Sequence, residues 1–188
     1  MAFSFGRFLV AVLFLAGLGT AMPALAHAPD SLPVGVQDLV NMPLAKVGEG
    51  TYRKFGFSVY RATLWAPEGE WDPEDPYVLE LHYLRGLSKD TMTDTVIDDL
   101  RDGKNVDDAT FALWEEKIKD TLPAVEEGDV MIGVAIPGEK TALFMNGEKI
   151  AEIQDSRLSK AFFDIWLGPD ADEDLRADLL KNGKSAPR

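Results

Sequence analysis

Arg85 is the cation whose position in this sequence raises a chemical question. It continues the alternating face Leu79, Leu81, Tyr83 of an apolar stretch, Tyr77–Leu84, that reads as a β-strand. A guanidinium at the inner end of such a face must find an acceptor, because burying it unpaired costs several kcal/mol. Two arrangements would satisfy it. Arg85 can snorkel to water or pair with a nearby acid, or it can grip an anionic ligand bidentately with the Tyr83 hydroxyl beside it. Ser58 and Tyr60 share one face of the neighbouring stretch Phe57–Trp65 and add two hydroxyls to this candidate ligand-binding set.

Other chemistries lack their residues. The only histidines are His27 and His82, and there is no cysteine, so neither a zinc nor an iron centre is expected and no cofactor is implied. The acidic groups Asp98-Asp99, Asp107-Asp108 and Asp170–Asp174 lack the oxygen spacing of a calcium loop and read as solvated surface. No nucleophile elbow, phosphate-cradling glycine loop or dinucleotide fingerprint is present. Among so many carboxylates, no pair stands out for acid/base work. Trp114, Phe162, Phe163 and Trp166 are read mainly as core; some could line a hollow between sheet and helices, the usual form of a small-molecule site.

The elements that would position Arg85 can be taken from turn chemistry and periodicity. Asn146-Gly147 tolerates positive φ at both positions and predicts a two-residue hairpin between Thr141–Met145 and Glu148–Ile153. Asp155 or Ser156 then caps a helix whose apolar face is Leu158, Ala161, Phe162, Ile165 and Trp166, ended by Gly168-Pro169. Upstream, Ser88 caps a helix carrying Met92, Val96, Ile97 and Leu100, with Gly103 as its stop. Asp107 or Asp108 opens another with Phe111, Trp114, Ile118 and Leu122. Val130–Ile136 reads as a strand, and Asp172–Leu180 as a short helix. Gly48-Glu49-Gly50 reads as a turn, and Thr51–Ala66 as two strands or one long strand bent at Gly56. Neither face of Phe57–Trp65 is cleanly polar, so that strand is expected to be covered on both sides. The order gives an α+β fold, an antiparallel sheet with helices packed on one face.

The 188 residues suit one domain. Residues 1–26 read as a signal peptide: Arg7, the apolar run Phe8–Leu18, then Ala24-Leu25-Ala26 before a cut at His27. Residues 27–46, with Pro29, Pro33 and Pro43, are expected to form an extended lead-in, residues 47–182 the domain, and residues 183–188 a tail. The protein is therefore expected to be exported and periplasmic, without stable membrane insertion once the signal is removed. A net charge of −13 repels phosphate backbones and argues against nucleic acid and anionic lipid as partners, while a basic protein partner stays possible.

Several blocks carry a family resemblance: V-G-E-G (47–50), F-S-V-Y-R-A-T-L-W-A-P (57–67), L-x-L-x-Y-L-R (79–85) and N-G-x-x-I-A-E-I…A-F-F-D-I-W-L-G (146–168). Together they resemble the bacterial exported branch of the chalcone isomerase-like family. The resemblance implies an open-faced β-sandwich with a cleft between a large antiparallel sheet and its helices. Plant enzymes of that family close a flavanone ring by phenolate attack on an enone, using an arginine and ordered hydroxyls. Their strand threonine falls on Ser58, the one catalytic candidate under an isomerase reading. Their arginine falls near Glu49-Gly50, where this chain has no cation, although Lys46 or Arg53 could serve with a shifted gap. Non-catalytic relatives hold a fatty-acid carboxylate with an arginine and a tyrosine, a role to which Arg85 and Tyr83 are suited. The leading expectation is thus a non-catalytic protein binding a fatty acid or similar apolar carboxylate; the alternative is an intramolecular lyase.

Overall fold

The computed structural model describes residues 32–102 and 106–181. The expected signal peptide and its cut site, Gly103 and the tail all lie outside the described residues. Six strands run as one antiparallel meander in chain order: β1 (Leu44–Lys54), β2 (Phe57–Pro67), β3 (Tyr77–Tyr83), β4 (Val130–Ile136), β5 (Lys140–Met145) and β6 (Glu148–Ile153). Each strand pairs with its sequence neighbour, so short turns suffice except between β2 and β3, joined by the loop 68–76, and between β3 and β4, where two helices intervene. These are α2 (Lys89–Asp102) and α3 (Asp108–Thr121); α4 (Ser156–Leu167) and α5 (Glu173–Leu179) follow β6.

Alternation along the strands divides the core in two. Ala62, Leu64, Leu79, Leu81, Tyr83 and Leu143 meet the layer of α2 to α5, where Leu100, Ile118, Phe163 and Leu179 are fully buried. Trp65, Val78, Ile132, Val134 and Phe144 take the opposite face. The α+β open-faced sandwich expected from the sequence is the observed architecture, and β2 is covered on both sides from Ala62 to Ala66 but not at Phe57 and Arg61.

What covers the second face corrects the extended lead-in. A helix, α1 (Val34–Val40), lies there with Val36 and Val40 buried against Trp65 and Val134. Pro33 precedes it, where a fixed φ starts a helix, and Asn41 ends it in the left-handed region at φ 53. The prolines bound the helix instead of excluding it.

Gly48 and Gly50 are a second correction. They do not turn the chain but lie within β1, opposite Leu64 and Ala62. A Cβ on Gly48 would run into the carbonyl oxygens of Asp178 and Leu179, so the glycines let α5 lie directly on the strand.

Local chemistry accounts for the helix starts. The Ser88 hydroxyl accepts from the Thr91 N–H at 3.1 Å, Asp107 from that of Thr110 at 3.0 Å, and Asp155 from those of Arg157 and Leu158. Asp155 also accepts from Trp114 Nε1 at 3.2 Å, tying α3 to the start of α4.

Candidate functional site

A cavity of about 690 Å³ opens between the β1–β3 wall of the sheet and helices α2, α4 and α5. Its interior is apolar. Leu81 and Met131 come from the sheet, Met92 and Val96 from α2, Phe162 and Trp166 from α4. The volume and lining suit a drug-sized or lipid-like molecule.

Three tyrosines supply the inner polarity. Tyr52 stacks on Tyr60 with ring centroids 5.1 Å apart, and Tyr83 meets Tyr60 edge-on at 5.9 Å. The Tyr60 oxygen accepts from Trp166 Nε1 at 2.9 Å, which leaves the phenol proton available to donate. Tyr83 is 2% exposed, and its hydroxyl has no hydrogen-bond partner among the described residues. Burial pushes both phenols well above their ordinary pKa, so each is a neutral donor at every physiological pH. The Tyr83 hydroxyl keeps contact with the cavity space, so its proton can be donated to a ligand oxygen there.

Charge divides the cavity by wall. Arg85 and Lys54 line it from the sheet side, and neither takes part in an ion pair among the described residues. Asp99, Asp164, Asp170 and Asp172 line it from the helix side. Arg85 lies just past the end of β3, solvent-exposed at the mouth, with its Cζ 4.9 Å from the centre of the Phe57 ring. It is thus a rim residue whose guanidinium lies over an aromatic face while its N–H groups stay exposed to meet a ligand.

The structure brings together Arg85, Tyr83 and Tyr60 but not Ser58. Tyr52 pairs with Tyr60 while Arg53 pairs with Ser58, so Val59 is an extra residue in β2. This bulge breaks the alternation: Phe57, Val59 and Tyr60 all line the cavity, and Ser58 does not. Glu49, Lys46 and Arg53 are also outside the lining. Glu49 instead pairs with Lys46 at 3.6 Å and accepts from Thr63. Lys54 and Tyr52 were not singled out from sequence. Their signal was position, Lys54 directly before the turn and Tyr52 opposite Tyr60 on the paired strand. His82 stands apart, its Nδ1 3.3 Å from Arg61 Nη2. Among the described residues no cluster of His, Asp and Glu is placed to hold a metal, and no helix is long and apolar enough to cross a membrane.

A search of curated protein sequences finds no significant match. Among solved structures, the fold is similar to the crystal structure of a fatty-acid binding protein from Arabidopsis thaliana. The TM-score is 0.56 at 15% identity, over 74% of this chain and 87% of that one. Residues 26–181 match the profile of the family described as chalcone isomerase-like, well over half of the chain. The protein therefore belongs to the chalcone isomerase-like family.

Proposed function

We propose that this protein is an exported, periplasmic, non-catalytic binder of a fatty acid or similar apolar carboxylate. The observation that carries the reading is a cavity of about 690 Å³ whose apolar interior runs out to an unpaired guanidinium, Arg85. The acyl chain lies among Leu81, Met92, Val96 and Phe162, and the carboxylate takes charge-assisted hydrogen bonds from Arg85. Tyr83, with Tyr60 behind it, donates where the ligand's polar end enters the hollow. The Arabidopsis neighbour, a fatty-acid binding protein of the same fold, supports this choice of ligand class. The lyase alternative rested on Ser58, which is absent from the cavity lining, and this favours the binding reading.

Native mass spectrometry of protein refolded without lipid, then offered saturated fatty acids of several lengths, tests the reading. A one-to-one adduct is expected. Arg85→Ala should weaken it roughly tenfold, as expected for one charge-assisted contact at an exposed rim. Absence of any adduct sinks the proposal; unchanged binding by both Arg85→Ala and Tyr83→Phe sinks the site.

A further inference from the structure

The β1–β2 hairpin projects apolar side chains that the fold does not use. Phe55, in the turn, is 90% exposed and Phe57, at the start of β2, is 60% exposed. They are the only exposed aromatic side chains among the described residues. Leu84, 37% exposed, stands at the same end of the sheet, its N–H bonded to the Val59 carbonyl. Three cations surround this group: Arg53 and Lys54 precede the turn, and Arg85 lies over the Phe57 ring. Most other described cations, such as Lys46, Lys119, Lys140, Lys149 and Lys160, are engaged with carboxylates. Arg53, Lys54 and Arg85 are in no ion pair among the described residues.

We propose that this hairpin docks the protein on an anionic lipid bilayer. Phe55 and Phe57 enter the boundary between headgroups and acyl chains, and Arg53, Lys54 and Arg85 meet the lipid phosphates. Because Lys54, Phe55, Phe57 and Arg85 also line the cavity, docking turns its mouth toward the membrane. An apolar ligand could then pass between bilayer and cavity without crossing water.

Two magnitudes favour a bilayer over a protein. A specific protein interface buries about 1,200–2,000 Å², which a two-residue tip cannot offer, whereas a bilayer accepts a narrow projection. The chain's charge of −13 would repel anionic lipid at long range, but at physiological salt the Debye length is about 8 Å, so the cations at the tip are felt more than distant acids. Asp170 and Asp172 on the helix wall of the same cavity keep that wall away from the lipid. Glu126 and Glu127 sit on the loop packed against Gly86, on the β3 side, which tilts the contact toward β1 and β2.

The test is flotation with phosphatidylcholine–phosphatidylglycerol vesicles and with phosphatidylcholine vesicles alone. No fatty acid is added, so its outcome does not depend on what the cavity holds. The wild-type protein should float with the anionic vesicles at low salt and be released at high salt. Phe55→Asn should bind about tenfold more weakly, because a buried phenyl ring is lost while the turn is kept. Phe55→Trp should retain binding and shift its emission to the blue on vesicles. Arg53→Glu combined with Lys54→Glu should abolish flotation. Failure to float, equal binding to neutral vesicles, or binding undiminished by Phe55→Asn would overturn the proposal.

Discussion

Two hairpin tips close the same end of the sheet with almost the same backbone. Phe55-Gly56 turns β1 into β2 at φ 52 and 82; Asn146-Gly147 turns β5 into β6 at φ 50 and 85. Both have the doubly positive φ of the tight turn that suits right-twisted strands. Asparagine tolerates that region, and Asn146 is also tied down. Its Oδ1 accepts from the Val130 N–H at 2.9 Å, and its Nδ2 donates to Asp129 at 2.9 Å. Phenylalanine is strained there by about 1–2 kcal/mol, and at 90% exposure it recovers nothing by packing. One tip is built for stability. The other keeps a costly residue in water beside a cavity mouth, and such strain points to use.

Exchanging the tips should show the contrast at its largest. Asn146→Phe gives up the tolerated φ and two hydrogen bonds, so it should destabilise the protein by about 3 kcal/mol in urea unfolding. If it costs no more than a few tenths, the two turns are equivalent and the argument from strain at Phe55 falls.

The tips also differ in what lies behind them. Behind Phe55 stand Tyr60 and Tyr83, with Tyr77 deeper in the core, and burial raises all three phenols. A folded pKa above the unfolded value of 10.0 means that the stabilising contribution is complete below that pH. It is lost as pH climbs above 10.0 toward the folded values. Stability should therefore be level up to about pH 10 and then fall, at about 1.4 kcal/mol per pH unit for each phenol held neutral. Phenolate absorbance should rise with unfolding, and Tyr83→Phe should flatten the slope. Ionisation of Tyr60 and Tyr83 near pH 10 in the intact fold would show that the cavity is wetter than its walls suggest.

Phe55→Asn is the converse exchange and a smaller one. It should stabilise the protein by about 1 kcal/mol, since strain is relieved and no packing is lost. Combined with weaker vesicle binding, that outcome would separate function from stability at one residue. A destabilised variant would mean that Phe55 packs on something in solution.

Local rules made much of this fold legible. Asn146-Gly147, the Asp155 cap and the Leu158–Trp166 face each depend on residues a turn apart, and each lies where the sequence puts it. What was hidden is tertiary. Gly48 and Gly50 read as a turn because a glycine needed for close approach by α5 looks the same in sequence as one needed for φ. The helix Val34–Val40 offered a single buried pair, Val36 and Val40, among prolines. Ser58 took its role from the strand motif of the resemblance and its face from alternation, which holds only until a bulge, and the extra residue at Val59 has no signature in side-chain type. Tyr83 lies in the cavity lining as period two along β3 predicts, whereas Arg85 lies past the strand's end and reaches the lining from a bend.

The smallest effect is a test of connectivity. If Asn146 is held by its network, Asn146→Ala and Asp129→Ala should be non-additive, coupled by about 0.5–1 kcal/mol, because each removes the partner of the same hydrogen bond. No such partner faces Phe55, so Phe55→Asn and Arg53→Ala should add to within about 0.5 kcal/mol. Coupling at the second pair, or none at the first, would show that hydrogen bonding does not distinguish the tips. The exposed phenylalanine would then have to be explained by contacts the free protein makes with itself.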